Sequence, residues 1–194
     1  MSELDAAARA IEAGDLVVYP TETVYGLGAD ALDPAAIERV FEAKGRSREN
    51  PLSMGVPDVD AAMSYTEASP RARACMEAFL PGPVTVVCER APAVPDALTA
   101  GQDRVGVRIP DHDRALAFLE RVAPVTATSA NRSGAGSVTD PGDLDPSIRK
   151  AVAVVLDGGE TPGTESTVVD PDRGEIHRRG AMADAVEAWL AEYG

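Results

Sequence analysis

The sequence predicts a single-domain α/β fold in which helices flank a mixed β-sheet. Short β-rich runs alternate with amphipathic helical segments along the chain, which is the pattern of α/β proteins. Several of these runs are almost entirely apolar or small, as expected for strands covered on both faces. The length of 194 residues and the hydrophobic content of 44% suit one globular domain, which we place at residues 1–194.

Helices are predicted where apolar residues recur at a spacing of three and four. Asp33-Pro34 and Ser69-Pro70 each combine an N-cap residue with a proline in the first helical turn. Gly14 is expected to end the first helix. The predicted helices are residues 4–11, a helix beginning at Pro34, residues 71–80, residues 113–122, and a C-terminal helix at about 182–193.

Strands are predicted for six short runs that are rich in β-branched residues and bounded by turn residues. They are LVVY at 16–19, VTVVC at 84–88, VGVRI at 105–109, VTATS at 125–129, AVAVVL at 151–156 and STVVD at 166–170.

The composition is strongly acidic. There are 32 acidic against 18 basic residues, a net charge of −14, and Lys44 and Lys150 are the only lysines. Such a charge disfavours broad nucleic-acid binding, which depends on neutralising phosphates. An acid-rich, lysine-poor composition is typical of proteins that work in concentrated salt, where the charge is screened.

The sequence favours a cytoplasmic protein without a metal centre. No run of about 18 apolar residues is present, so no membrane span is predicted. The N-terminus is acidic and amphipathic, unlike a signal peptide. Cys75 and Cys88 lack disulfide spacing and are predicted to be buried thiols. His112 and His177 stand outside any metal-ligand pattern.

Two stretches near the N-terminus carry candidate ligand groups. PTETVYGLG, from residue 20, offers the hydroxyls of Thr21 and Thr23 beside two glycines, and it is either a ligand-binding loop or an ordinary strand–turn–strand. Further along, Lys44, Arg46 and Arg48 place three cations within five residues. They indicate either a phosphate site or a solvated loop paired with acids such as Glu42 and Glu49.

Three later stretches add polar groups. Arg108 lies inside an apolar strand and needs an anionic partner, either a structural salt bridge or a bound carboxylate. Ser129 and Asn131 follow a strand in a glycine- and serine-rich loop, which is either a ligand site or a polar turn. GGETPGTES at 158–166 is either a mobile, ligand-lining loop or a simple connection.

The motifs GxxxxGK[ST], GxSxG and GxGxxG are absent from the sequence, and no nucleophile stands out. Arginines, one lysine and hydroxyls suit an enzyme that works by orientation and charge stabilisation, as in phosphoryl or nucleotidyl transfer.

Seven motifs in fixed order resemble the YrdC-like threonylcarbamoyl-AMP synthases. They are PTETVYGLGA, KGR followed by NPL, PGPVT, VRIPDH, SAN, ESTVVD and a final RxG, over a core of about residues 16–180. The resemblance implies a twisted, mixed β-sheet with flanking helices and a large concave cavity. It also implies synthesis of threonylcarbamoyl-AMP and pyrophosphate from L-threonine, bicarbonate and ATP.

The resemblance assigns roles to individual residues, with Lys44 and Arg46 as the implied catalytic pair. The implied ATP-binding residues are Lys44, Arg46, Thr85, Ser129, Asn131, Ser137 and Arg178. The implied threonine-binding residues are Thr21, Thr23, Arg108 and Ser166.

The same resemblance implies Mg²⁺ bound with ATP, held mostly by phosphate oxygens and water. It implies a downstream transferase as partner, which moves the threonylcarbamoyl group onto the adenosine beside the tRNA anticodon. A weak direct tRNA contact is part of the expectation, and a membrane partner is not.

Three features depart from the family pattern. Gly55 stands where longer members carry a histidine, and Arg179 replaces the proline before the final glycine. The chain ends one helix after the RxG motif, so we expect the short form without an extra C-terminal domain. Two alternatives remain open: a non-catalytic RNA-binding module of the same fold, and a carbamoyl-transfer domain of the hydrogenase-maturation type.

Overall fold

The structure is a computed structural model that describes residues 2–193. Its nine strands are β1 (Leu16–Tyr19), β2 (Gly26–Gly28), β3 (Ser53–Gly55), β4 (Val84–Glu89), β5 (Arg104–Arg108), β6 (Val125–Ser129), β7 (Val152–Val155), β8 (Thr167–Asp170) and β9 (Glu175–Arg178). Its helices are α1 (Glu3–Glu12), α2 (Pro34–Lys44), α3 (Val59–Met63), α4 (Pro70–Phe79), α5 (Asp96–Thr99), α6 (Asp113–Val122), α7 (Pro146–Ala151) and α8 (Ala183–Glu192), with a 3₁₀ turn at Pro141–Asp143.

The strands form one mixed sheet in the order β7-β1-β2-β6-β3-β5-β4-β8-β9. Three neighbouring pairs are parallel, namely β1–β7, β3–β5 and β4–β8. The other neighbours are antiparallel. The prediction of an α/β fold with a mixed sheet is confirmed.

Local signals explain where the helices begin and end. The Asp33 carboxylate accepts from the Ala35 amide at 2.9 Å, and the Ser69 hydroxyl accepts from the Ala72 amide at 3.0 Å. Gly45 ends α2 in the left-handed conformation, with φ of 58°. The chain therefore leaves α2 at the start of the basic KGR motif, with Arg46 directly after the turn.

The sheet is covered on both faces around β1. Successive residues of a strand face opposite sides, and Val17 and Tyr19 pack in one apolar cluster while Leu16 and Val18 pack in the other. The first cluster includes residues of α1 and α6, such as Phe118. The second is larger and includes the apolar side of α2.

The structure corrects one expectation about the sheet. The run at 151–156 was expected to be covered on both faces, yet β7 is an edge strand with its residues half-buried or exposed. The elements that the sequence did not predict are short or polar, namely β3, α3, α5, α7 and β9. The short strand β2 was one of the two possibilities left open for the PTETVYGLG stretch. Cys75 and Cys88 are buried free thiols, as predicted. Within residues 2–193, no helix has the length and apolar character needed to span a bilayer.

Candidate functional site

A cleft of about 430 Å³ opens over the central strands of the sheet. Its walls come from the loop after β1 and from β2, β3, β4, β5, β6, β8 and β9. Eight of the residues proposed from the sequence line it: Thr21, Thr23, Arg46, Thr85, Arg108, Ser129, Ser166 and Arg178.

Strand pairing brings these distant residues together. Thr85 of β4 lies opposite Arg108 of β5, and Ser129 of β6 lies opposite Gly26 of β2. The hydroxyl of Thr85 lies 3.1 Å from that of Ser166, at the start of β8. Hydroxyl groups from separate motifs thus share one wall.

Arg108 is 7% exposed and has a carboxylate partner. Its Nη2 donates to Glu22 Oε1 at 2.7 Å, and its Nη1 donates to the carbonyls of Ile109, at 3.1 Å, and Gly82. The structural salt bridge weighed at Arg108 is therefore present. Because a guanidinium has five N–H groups, these bonds leave the Nε–H and one Nη2–H for a ligand. Whether Arg108 clamps a carboxylate stays a prediction.

Thr21 and Thr23 line the cleft within a tight turn. The Thr21 hydroxyl donates to the Val24 carbonyl at 2.6 Å and lies 2.9 Å from the Thr23 hydroxyl. It also accepts from the Thr23 amide at 3.2 Å. The Thr21 oxygen also accepts from the Val24 amide at 3.2 Å, so Thr23 is the better placed of the two to accept a bond from a ligand.

Lys44 lies beside the cleft rather than on its wall. It is 2% exposed, and its Nζ donates to the carbonyls of Asn131, at 2.7 Å, and Ser129. Burial lowers the pKa of Lys44 to about 8, with a smaller contribution from the charge of Arg46. The structure thus places this cation behind the SAN loop, where it fixes the loop backbone.

Arg46 lines the cleft, and neither of its hydrogen bonds is to a carboxylate. Its Nε donates to the Asn50 carbonyl at 3.1 Å and its Nη2 to the Pro51 carbonyl at 3.0 Å. Burial lowers its pKa, and the charge of Arg178 contributes in the same direction. Arg46 and Arg178 both line the cleft, and two guanidiniums on the walls of one cleft suit an anion.

Arg48, the third cation of the run, is exposed outside the cleft. Its Nε donates to Glu38 at 3.0 Å, and its Nη2 bonds the same carboxylate. The solvated-loop interpretation therefore holds for Arg48, although its partner is Glu38 rather than Glu42 or Glu49.

Glu165 bridges two of the proposed ATP-binding residues. The Ser137 hydroxyl lies 2.8 Å from Glu165 Oε1, and Arg178 Nη1 lies 3.4 Å from Glu165 Oε2. Arg178 also donates to the carbonyl and the hydroxyl of Ser166 at 3.0 and 2.9 Å. Among residues 2–193, Glu165 is the only carboxylate that lines the cleft, so an anion bound at Arg178 has to compete with it.

Asn131 lies next to the cleft and shapes the loop. Its Nδ2 donates to the carbonyls of Arg132 and Ala135 at 3.0 and 2.6 Å. Its buried Oδ1 has no hydrogen-bond partner in the described part of the chain.

Sequence reasoning missed several lining residues. Arg104 pairs with Asp170 at 2.6 Å and Asp172 at 3.2 Å, and its side chain also reaches the cleft. Alternation along a strand puts residues 104 and 108 on one face, and that signal could have found it. Tyr19, Gln102 and His177 line the cleft without a sequence motif that marks them. Glu22, the partner of Arg108, lies within the PTETVYGLG stretch, where the threonine hydroxyls were the predicted ligand groups.

The fold and the cleft define an α/β protein with more guanidiniums than carboxylates on the cleft walls and with several hydroxyl groups beside them. Such a lining suits a small anionic ligand. The chain belongs to the Sua5/YciO/YrdC family, whose model, described as "Telomere recombination", matches residues 9–180. The resemblance inferred from the seven motifs is thereby confirmed.

Two curated relatives are named threonylcarbamoyl-AMP synthase. The protein from Pyrococcus abyssi is 42% identical over 167 residues, which cover 84% of this chain and 49% of that protein. The protein from Bacillus subtilis is 40% identical over 170 residues, which cover 84% and 48%. The chain therefore spans about half the length of these relatives.

A solved structure has the same fold. The crystal structure of P. abyssi Sua5 complexed with L-threonine superposes with a TM-score of 0.86 at 40% identity. The match covers 93% of this chain and 55% of that one.

Proposed function

We propose that this chain makes threonylcarbamoyl-AMP and pyrophosphate from L-threonine, bicarbonate and ATP, as a nucleotidyltransferase acting before tRNA modification. The names of the relatives support this assignment. The observation that carries it is the presence, in one cleft, of a guanidinium with two unused N–H donors, Arg108, and of a second guanidinium pair, Arg46 and Arg178. The first suits a carboxylate and the second suits phosphates.

The threonine end of the cleft is proposed around Arg108. Its Nε–H and one Nη2–H are not used by Glu22 or by the carbonyls of Gly82 and Ile109, and they can donate to a carboxylate. Thr23 and Ser166 supply hydroxyls for the substrate's polar atoms, while Thr21 holds the turn.

The nucleotide end is proposed around Arg46, Arg178 and Ser129. Arg46 and Arg178 would neutralise the phosphates, with Thr85 and Ser137 close by. Asn131 would present its free Oδ1 to the adenylate. Lys44 would act through the loop that it fixes, adding positive charge behind the α-phosphate.

The chemistry proposed needs no protein nucleophile. Bicarbonate gives CO₂ and hydroxide, and the neutral threonine nitrogen attacks the CO₂ carbon to form a carbamate. The proton that the nitrogen loses combines with the hydroxide to give water. A carbamate oxygen then attacks the α-phosphorus, and the bond from that phosphorus to the pyrophosphate oxygen breaks. Arg46 and Arg178 stabilise the charge that develops on the phosphoryl oxygens and on the leaving group.

The residues present fit Mg²⁺ carried by the nucleotide. The part of the chain that the structure describes has no cluster of three or more histidine, cysteine or carboxylate side chains. Glu165, at the proposed phosphate end, offers one carboxylate, and Mg²⁺ commonly takes one carboxylate with phosphate oxygens and water. The ion would neutralise phosphate charge there.

The remaining assignments belong to the same proposal. One domain, with its motif-bearing core at about residues 16–180, would perform the reaction in the cytoplasm and pass its product to the tRNA threonylcarbamoyl transferase. The RNA-binding alternative is not favoured by the relatives' names, and a net charge of −14 opposes it.

Pyrophosphate release tests the proposal. The protein is incubated with ATP and Mg²⁺ in concentrated KCl, and threonine and bicarbonate are omitted in turn. Release that requires both substrates supports the synthase. Release that requires neither substrate indicates another nucleotide reaction. The absence of release at any salt concentration favours the RNA-binding alternative.

A further inference from the structure

One carboxylate oxygen next to the proposed threonine end lacks a partner. Glu22 Oε1 accepts from Arg108, but Glu22 Oε2 is buried and accepts no hydrogen bond from any described residue. A buried carboxylate oxygen without a donor is costly, and native structures seldom leave one unexplained. The Glu22 side chain is 18% exposed.

The position of Glu22 places this oxygen beside the cleft. Glu22 lies between Thr21 and Thr23, which both line the cleft, and its partner Arg108 lines the cleft as well. A ligand held by Arg108 is therefore within the reach of the same turn. Because Oε2 is buried in the free protein, the Glu22 side chain has to turn toward the cleft for a ligand to reach this oxygen.

The two side chains together match an α-amino acid. Such a molecule carries a carboxylate and an amino group on one carbon atom, so its negative and positive ends are close neighbours. Arg108 has two N–H donors left for the carboxylate, and Glu22 has a negative charge and a free acceptor directly beside them. The pairing also keeps the Arg108 charge compensated when the ligand leaves.

We infer that Glu22 binds the amino group of the amino-acid substrate through Oε2 while Arg108 binds its carboxylate. This inference rests on the proposed function, which requires such a substrate. The contact survives the first chemical step, because the carbamate nitrogen keeps one N–H to donate. Glu22 then orients the nitrogen and lowers the affinity of the site for molecules that lack an amino group.

Calorimetry with two ligands separates this role from a structural one. L-threonine is compared with 3-hydroxybutyrate of matching configuration, which keeps the carboxylate and the hydroxyl and lacks the amino group. The wild-type protein should bind threonine more tightly by roughly tenfold or more, the usual range for a hydrogen bond to a charged group. Glu22→Gln should lose that preference, and it should bind 3-hydroxybutyrate at least as tightly as the wild-type protein does, because the charge of Arg108 is no longer compensated by a carboxylate. Glu120→Gln, which removes one exposed charge from α6, should change neither affinity.

The outcomes are distinct. If the wild-type protein binds neither compound, the proposed function fails and this inference fails with it. If threonine binds and Glu22→Gln keeps the preference of the wild-type protein for threonine over 3-hydroxybutyrate, the inference alone is overturned, because Glu22 then only supports Arg108. Equal affinity of the wild-type protein for the two compounds also overturns it, whether or not any variant folds.

Discussion

The ring of Tyr19 lies directly over the backbone of Gly26. A Cβ atom at residue 26 would stand 2.8 Å from Tyr19 Cζ, and one at Gly28 would stand 3.1 Å from Tyr19 Cε1. The Tyr19 hydroxyl donates to the Thr126 carbonyl at 3.2 Å, and its ring packs 5.4 Å from that of Phe118. The glycines of the GLG strand therefore allow a buried aromatic ring to form part of the cleft.

Replacing Gly26 by alanine should destabilise the protein. The added methyl group has no room unless the Tyr19 ring moves, and overpacking of this kind costs about 1–3 kcal/mol. Urea unfolding measures the change in the free energy of unfolding. The matched control is Gly136→Ala, because Gly136 is exposed and a Cβ atom there meets nothing within 4 Å. Equal stability of the two variants would show that Tyr19 does not constrain residue 26.

Lys44 should titrate far below an ordinary lysine. Burial lowers its pKa from 10.5 to about 8 in the folded protein. Between these pH values the unfolded chain binds more protons, so the contribution of Lys44 to the free energy of unfolding increases as the pH rises from 8 to 10.5. NMR of protein labelled at the lysine ε-carbon checks the pKa, since the chain has two lysines and Lys44→Met identifies one signal. A midpoint near the ordinary value of about 10.4 would contradict the burial.

Arg46 and Arg48 should differ in nucleotide binding although they are two residues apart. Arg46 lines the cleft, whereas Arg48 pairs with Glu38 on the exposed surface. Arg46→Ala should weaken binding of a non-hydrolysable ATP analogue by roughly tenfold or more, because it removes a charge-assisted contact. Arg48→Ala should change it by less than about twofold, as for an exposed ion pair. Similar losses in the two variants would mean that the whole basic run acts through long-range charge.

Glu165→Gln should tighten the binding of nucleotide without metal. The variant removes the negative charge that contacts Ser137 and Arg178 and competes there with the phosphates. The gain in affinity should be smaller when Mg²⁺ is present. Titration of the ATP analogue in EDTA and in Mg²⁺ measures both affinities. Glu160→Gln is the control, because Glu160 is exposed in the same loop. Weaker metal-free binding by Glu165→Gln would show that Glu165 positions Arg178 instead of competing for it.

The sequence predicted the family, the mixed sheet and eight of the residues on the cleft walls, because short motifs mark the ends of strands. It did not predict the partners of those residues. Glu22 and Arg108 are 86 residues apart, and Ser137 and Glu165 are 28 apart, so their contacts depend on strand pairing. Lys44 illustrates the same limit. Its spacing in the sequence grouped it with Arg46, but Lys44 is the last residue of α2 and its side chain is buried in the interior.

Product analysis with labelled bicarbonate tests the central claim most directly. The protein is incubated with ATP, L-threonine and ¹³C-bicarbonate, and the adenylated products are identified by mass spectrometry. The proposed reaction predicts threonylcarbamoyl-AMP that contains one ¹³C atom, and predicts its loss when threonine is omitted. An adenylate without the heavy carbon, or no threonine-dependent adenylate at all, would contradict the proposed function.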